Sequence, residues 1–187
     1  MAASDVLICN MALQKVGGAR ITSLTQDSKE ARECNACFEE VRDQMLRSHT
    51  WNFSKTRVTL APSVTDEDAD YIYTFNWPAD AVRILPPNDA DVDWQIEGRT
   101  ILTNWDDELD VIYVKRVTDA ATMDPLFREA FACKIAMQIC EPLAQSGQKK
   151  EGLKDEYKEA MREAKRVNAY EQVSAELPED DWVSCRA

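Results

Sequence analysis

Cys34 and Cys37 have the three-residue spacing that is typical of metal and redox sites. A structural zinc site needs four converging ligands, usually two such pairs or one pair with two histidines. The chain has a single histidine, and both cysteines fall in the middle of a predicted amphipathic helix. The remaining thiols are dispersed, at Cys9, Cys133, Cys140 and Cys185. The spacing therefore predicts helix packing by free thiols, and we expect neither a bound metal nor a cofactor.

His49 is the only histidine, so a Ser–His–Asp or Cys–His mechanism would have to use it. It follows a predicted helix, where the helix C-terminus favours a protonated imidazole, and Trp51 is close in sequence. We therefore expect His49 to cap or pack against that helix. Gly17 and Gly18 also follow a helix and not a strand, which predicts a helix C-cap and not a phosphate-binding loop.

Four acidic clusters could bind cations or supply a pair of catalytic carboxylates. They lie at 66–70, 89–93, 106–108 and 179–181. An EF-hand loop needs Gly at its sixth position and Glu at its twelfth. Counting from Asp66 gives Tyr71 and Trp77, and counting from Asp89 gives Trp94 and Thr100, so neither cluster fits. The sequence also identifies no pair of carboxylates as the acid and base of a hydrolase. We predict solvated acidic loops, no catalytic residues and no enzyme.

The 187 residues suffice for an independent core, with 44% hydrophobic and 30% charged residues. The net charge of −12 argues against a duplex-binding surface, which needs Lys and Arg to neutralise phosphates. No apolar run approaches the roughly 18 residues of a membrane span. The first ten residues lack a basic stretch and reach Asp5 early, so we expect no secretory signal and a cytoplasm that keeps thiols reduced.

Helices are predicted in the first and last thirds of the chain. Ser4 caps residues 5–16, and a second helix spans 28–48. That helix has a buried stripe at the 3-4-3-4 spacing of Ala31, Cys34, Phe38, Val41 and Met45. Asp124 and Pro125 begin a largely apolar, central helix over 126–143, and Pro142 should kink or end it near 138–141. The last helix, about 149–171, has its stripe at Leu153, Tyr157, Ala160, Ala164 and Val167.

Short, β-branched or aromatic segments in the middle third predict one small antiparallel sheet of four or five strands. These segments are 54–60, 71–77, 81–85, 94–103 and 109–117. Within 94–103, Glu97-Gly98-Arg99 indicates a tight hairpin, and 61–70 is a predicted polar loop.

The predicted fold class is therefore α+β. A bundle of about four helices carries a small antiparallel β domain inserted between the second and third helices. The units are 1–53 and 119–172 for the two halves of the bundle, 54–118 for the insertion, and 173–187 for an acidic tail.

Many of these segments, in this order, are similar to segments of one known family. They are Gly17-Gly18, Ile21-Thr22-Ser23-Leu24, Asp27-Ser28, Val41-Arg42-Asp43, Trp51-Asn52-Phe53, Tyr73–Asp80 with Val82-Arg83-Ile84-Leu85, Glu97-Gly98-Arg99 with Leu102-Thr103, Val114–Asp119, Asp124–Phe127 and Pro142-Leu143. Their order and spacing over residues 4–172 resemble the tail tubular protein A family of short-tailed phages. The segment 73–80 departs from the family's Tyr-x-x-Pro-Ala-Asp pattern, because Pro78 directly follows Trp77 here.

The resemblance implies a virion structural protein of the tail or neck, present in the host cytoplasm during assembly and not inserted in a membrane. It implies a head-to-tail adaptor ring of about twelve copies, with the portal protein on one face and the tail nozzle, tail tubular protein B, on the other. DNA would pass through the centre without sequence-specific binding. Twelve copies would carry 144 formal negative charges, and carboxylates in the bore would repel phosphate and let the duplex slide.

Two sets of residues are expected at partner interfaces. Tyr71, Tyr73, Phe75 and Trp77 are of the types that are enriched in interfaces. Trp182, beside the acidic residues 179–181, could be an anchor for the portal or a neighbouring subunit, the alternative being an inert flexible end.

Three other functions stay open at the level of sequence. One is a head–tail connector of long-tailed phages, which is mostly helical, so that the β insertion favours the short-tailed family. Another is a virion-associated cell-wall hydrolase, which would need a carboxylate with a raised pKa in an apolar pocket. The third is a cytoplasmic scaffold unrelated to phages.

Overall fold

The computed structural model describes residues 4–64, 70–86 and 93–171. In this part of the chain four helices enclose seven strands in sequence order, and the predicted α+β class is confirmed. The helices are α1 (Asp5–Val16), α2 (Lys29–Ser48), α3 (Pro125–Ala144) and α4 (Gly147–Tyr170), with a 3₁₀ helix at Asn52–Ser54. The strands are β1 (Lys55–Leu60), β2 (Ser63–Val64), β3 (Tyr73–Asn76), β4 (Ala81–Ile84), β5 (Trp94–Glu97), β6 (Thr100–Thr103) and β7 (Leu109–Lys115).

The ends of α1 follow from its capping residues, as predicted. The Ser4 hydroxyl accepts a hydrogen bond from the Leu7 amide at 3.2 Å, which satisfies one free N–H of the first turn. Gly17 adopts φ 79°, the left-handed conformation, and ends the helix. The Gly18 amide then donates to the Leu13 carbonyl at 2.8 Å. A residue with a Cβ would be strained at Gly17.

The predicted apolar stripe of α2 is confirmed, because all five of its residues are buried. Ser28 caps the helix by accepting a hydrogen bond from the Ala31 amide at 3.2 Å. The stripe lies against α3, which is the central helix and also packs against α1 and α4. Nine residues of α3 are buried, as expected for a helix enclosed on most sides.

Pro142 does not end α3 near residues 138–141, so this part of the prediction is wrong. The helix continues to Ala144 and ends at Gln145, which has φ 48°. The Gln145 amide donates to the carbonyls of Cys140 and Glu141, both at 3.2 Å. Packing of α3 on three helices outweighs the roughly 3 kcal/mol that an interior proline costs. The carbonyl of Pro142 itself accepts a hydrogen bond from Lys29 Nζ at 2.5 Å.

The last helix begins earlier than predicted, at Gly147, because the Ser146 hydroxyl caps it by accepting from the Lys149 amide at 3.3 Å. Of its predicted stripe, Leu153 and Ala164 are buried, while Tyr157, Ala160 and Val167 are half-buried. Met161 and Asn168 are buried as well. Asn168 is a polar side chain that the periodicity did not single out.

The strands form two antiparallel sheets and not the single sheet that the sequence predicted. Their orders are β1-β7-β4 and β2-β3-β6-β5. Strand β2 lies inside the predicted loop 61–70 and pairs with Thr74 and Tyr73. The sequence did not predict this strand, because two residues are too few to show a period.

Strand β7 contributes to two separate hydrophobic cores. Tyr113 belongs to a core between the sheets, together with Phe75, Ala81, Ile84, Ile101, Leu109 and Val111. The next residue, Val114, points to the opposite face and is fully buried in the helical core. Arg47 Nη1 of α2 also donates to the Val82 carbonyl of β4 at 2.7 Å. The helices are therefore joined to the sheets by packing and by a hydrogen bond. The division of the chain into the four predicted units stays a prediction.

Candidate functional site

The predicted aromatic interface is only partly available to a partner. Phe75 is fully buried in the core between the sheets, so its side chain is covered within the chain itself and its interface role stays a prediction. Tyr73 and Trp77 are half-buried and pack against the same core, and Tyr71 is half-buried. Alternating aromatics indicate that one face of a strand is covered, and here the covering is the other sheet. An interface role stays a prediction for Tyr71, Tyr73 and Trp77, while Trp182 lies outside the described residues.

Arg99 holds the segment that contains Trp77, a role that the sequence did not reveal. Its guanidinium carbon lies 5.5 Å from the centre of the Trp77 ring, a cation–π distance. Its Nη2 donates to the carbonyls of Pro78 at 2.9 Å and of Ala79 and Ala81 at 3.3 Å. The hairpin of β5 and β6 is thereby fastened to the turn before β4, so Arg99 has a structural role.

His49 is held in a hydrogen-bonded network and packs against Trp51, with ring centres 4.8 Å apart at 77°. Asn168 Nδ2 lies 3.2 Å from His49 Nε2. Burial, and then the positive charges of Lys165 and Arg83, lower the pKa of His49. The helix C-terminus was expected to favour the protonated form, but loss of solvation outweighs it here.

The hydroxyls of Ser48 and Ser54, two serines near His49 in the sequence, donate to backbone carbonyls and not to its imidazole. Ser48 Oγ donates to the Met45 carbonyl at 2.8 Å, and Ser54 Oγ donates to the Trp51 carbonyl at 3.0 Å. The arrangement therefore supports packing and local hydrogen bonding for His49.

The Cys34–Cys37 pair also belongs to helix packing. Cys34 is fully buried, and Cys37 Sγ donates to the Cys34 carbonyl at 3.5 Å. Burial raises the pKa of Cys37 to about 11, so its thiol stays protonated at neutral pH. Cys9 of α1 is also fully buried, and its hydrogen bond with Cys34 and its burial raise its pKa. These thiols join α1 to α2 as apolar contacts.

The one group of side chains in the described part of the chain that could hold a metal contains Glu129, Cys133 and Glu156. Their ligand atoms lie within 4.8 Å of one another. Lys15 Nζ is 2.6 Å from Glu129 Oε1 and also pairs with Glu156. Burial lowers the pKa of Lys15, but its hydrogen bonds to the two carboxylates outweigh that effect, and the net pKa is raised.

These contacts make an internal ion-pair cluster, which we define as Lys15, Glu129 and Glu156. The ammonium of α1 lies where a cation would bind, and it joins α1 to α3 and α4. Burial raises the pKa of the neighbouring Cys133 to about 11, which disfavours the thiolate that a metal needs. Sequence periodicity could not reveal the cluster, since its residues lie far apart in the chain.

A groove of about 400 Å³ runs between residues 51–53, the start of α3 and the end of α4. It contains two carboxylates, and both are engaged in hydrogen bonds. Asp124 Oδ1 caps α3 by accepting from the Leu126 amide at 2.8 Å, and Glu171 Oε2 accepts from Asn52 Nδ2 at 3.1 Å. The groove therefore offers apolar and amide surface, and both of its carboxylates already serve as hydrogen-bond acceptors.

None of the described helices is both long enough and apolar enough to cross a bilayer. A scan against protein-family models and a search of curated proteins found no match to this chain.

Proposed function

We propose that this chain is a virion structural protein, a head-to-tail adaptor similar to the tail tubular protein A family of short-tailed phages. The observation that carries the proposal is the order of the elements. Two helices are followed by a β insertion and then by two helices that return to the first pair. The segments that resemble the family follow the same order over residues 4–172.

The state of the reactive side chains supports a structural role. Four thiols of the bundle are buried and that of Cys37 is half-buried, Lys15 pairs with both carboxylates of the candidate cation site, and the acids of the groove serve as hydrogen-bond acceptors. Each group that could do chemistry thus has a packing or capping task in the described part of the chain. A virion-associated hydrolase would need at least one of them in a different state.

In the proposed assembly about twelve copies form a ring between the portal protein and the tail nozzle, tail tubular protein B. DNA passes through the ring without sequence-specific binding. A net charge of −12 per chain suits a bore that repels phosphate. Only carboxylates within about 8 Å of the duplex would act, because salt screens the others. A bore lined mainly by Lys and Arg would contradict this part of the proposal.

Four large apolar side chains remain exposed in the described part of the chain, and we propose them as contacts between subunits. They are Leu7, Ile96, Trp105 and Tyr170. Tyr170 is the most exposed, at 78%, although it ends a helix. Phe75 is buried, so we propose these four exposed residues for the interface instead. Aromatic and aliphatic side chains supply most of the energy of interface cores.

Deleting residues 174–187 is expected to weaken docking of the adaptor onto portal particles at least about tenfold, the effect of losing one aromatic anchor. The physical reason is the loss of Trp182, whose indole would fill a pocket of the portal or of a neighbouring subunit. Co-sedimentation with purified portal particles measures the docking.

Two full-length variants separate the indole from the charge of the tail. Trp182→Ala should reproduce the loss, whereas Glu179→Gln combined with Asp181→Asn should leave most of the docking intact. A normal circular dichroism spectrum would show that each variant is folded. Docking that is unchanged by the deletion would mean that the tail holds no anchor.

Locating the chain in the virion tests the proposed function directly. A gold-labelled affinity tag on the chain should appear at the neck, between head and tail nozzle. Label on the capsid shell or at the distal tip, or none in purified virions, would contradict the adaptor function.

A further inference from the structure

The end of α4 is tied to the segment after α2 by a compact set of side-chain hydrogen bonds. Asn168 Oδ1 accepts from the backbone amide of Asn52 at 2.8 Å. Asn168 Nδ2 lies 3.3 Å from the Thr50 carbonyl and 3.2 Å from His49 Nε2. In return, Asn52 Nδ2 donates to the Asn168 carbonyl at 2.9 Å. Asn168 is only 8% exposed, so few water molecules can replace these bonds.

These bonds fix which way the amide of Asn168 points. Its oxygen must face the Asn52 N–H, so its NH2 group must face Thr50 and His49. An amide NH2 can only donate, which makes His49 Nε2 the acceptor. The imidazole is therefore neutral in this arrangement, with its proton on Nδ1.

We propose that His49 and Asn168 form a pH-sensitive latch that holds the last turn of α4 against residues 50–52 and opens when the imidazole is protonated. Protonation places an N–H on Nε2 that points at the NH2 of Asn168, so two donors face each other. Rotating the amide does not relieve the conflict, because its NH2 would then face the Asn52 N–H. The last turn of α4 must move away, and with it Glu171.

The charged groups around His49 act in the same direction. Lys165 of α4 and Arg83 of β4 both disfavour a second positive charge on the imidazole, and burial adds to their effect. The acidic group in this network is Glu171, whose carboxylate is engaged by Asn52 Nδ2. Both cations thus favour the neutral imidazole, and with it the closed latch, at neutral pH.

The sign of the pH dependence follows from these contacts. The pKa of folded His49 lies below its ordinary value of 6.5. The unfolded chain therefore binds the proton first as the pH falls. The contribution of the latch to stability is complete above pH 6.5 and is lost as the pH falls through the folded-state pKa.

NMR of the full chain tests the latch directly, because the single histidine gives unambiguous signals. We expect a His49 pKa below 6.5, an Nδ1–H tautomer in the neutral form, and shifts of the Asn52 amide and Asn168 side-chain signals that follow the same titration curve. Replacing Asn168 by Leu removes the donor to Nε2 and should raise the pKa of His49.

His49→Gln is the matched control, because its side-chain oxygen can accept from Asn168 but does not titrate. In that variant the Asn52 and Asn168 signals should no longer move over the same pH range. A His49 pKa of 6.5 or higher, a neutral tautomer with its proton on Nε2, or Asn52 and Asn168 signals that ignore the His49 titration would each overturn the latch. This inference does not depend on the proposed virion function.

Discussion

Replacing Trp51 by alanine is expected to lower the free energy of unfolding by about 4 kcal/mol, at the upper end of the effects of core truncation. Trp51 is 1% exposed, and its ring centre lies 5.0 Å from that of Phe127 in an edge-to-face contact. It also stacks on Phe53 at 6.2 Å and packs against His49. The substitution would remove the side chain that joins α3 to the segment between α2 and β1.

The hydrogen bond of Trp51 contributes a separate part of this effect. Its Nε1 donates to the Met45 carbonyl at 3.0 Å, inside the protein. Trp51→Phe keeps an aromatic ring but removes one of two donors to that carbonyl, which also accepts from Ser48 Oγ at 2.8 Å, so the loss should be about 1 kcal/mol. This milder variant keeps the measurement possible if Trp51→Ala does not fold.

Trp105→Ala is the control for Trp51→Ala. Trp105 is 41% exposed, and its Nε1 reaches the Glu108 carbonyl only at 3.4 Å. Its replacement should cost less than about 1 kcal/mol in the monomer. Urea unfolding followed by circular dichroism measures all three variants. Equal losses for Trp51→Ala and Trp105→Ala would refute the assignment of Trp51 to the core.

Replacing Lys15 by methionine is expected to destabilise the protein by about 2 kcal/mol. The variant keeps the apolar stem but leaves the carboxylates of Glu129 and Glu156 next to each other without a cation. The Lys15 side chain is 17% exposed, while the two glutamates are 42% and 48% exposed. Water therefore screens the remaining repulsion, and the loss stays below the 3–5 kcal/mol of a fully buried pair.

Lys158→Met is the matched control, because Lys158 Nζ also lies 2.8 Å from a carboxylate, that of Asp155. Both of those side chains are mostly exposed, at 63% and 77%, so this loss should be much smaller than that of Lys15→Met. Adding Glu129→Gln to Lys15→Met should recover part of the stability, since it removes one of the two facing charges. Equal losses for the two lysine variants would contradict a structural role for the cluster.

The sequence predicted the parts of the fold that depend on neighbouring residues. Ser4, Ser28 and Asp124 begin helices as expected, because a cap acts on amides two or three residues away. Gly17 ends α1 for a similarly local reason. The stripe of α2 is correct because the period of a helix fixes which of its residues share a face.

The parts that failed depend on residues far apart in the chain. Nothing near Ser63 indicates that it pairs with Thr74 in a second sheet. The residue type of Phe75 suits a partner interface and a protein core equally, and its place in the core between the sheets depends on distant strands. Pro142 has an unfavourable local conformation in a helix, but the packing of α3 overrides it.

The same limit applies to the candidate site. The thiol spacing and the lone histidine correctly indicated packing. The ion-pair cluster and the latch escaped detection, since Lys15 lies 141 residues from Glu156 and His49 lies 119 residues from Asn168. Asn168 follows Ala164 by four residues, and a polar side chain at that position of the apolar stripe is the signal that could have revealed the latch.

We propose that this chain acts by assembling, and its behaviour when mixed with a portal protein decides whether it does. The full chain is mixed with the portal protein encoded in the same genome, and the product is examined by native mass spectrometry and electron microscopy. We predict closed rings of about twelve copies, about 256 kDa of this 21.3 kDa chain, seated on the portal. A chain that remains a 21.3 kDa monomer and leaves the portal bare would contradict it.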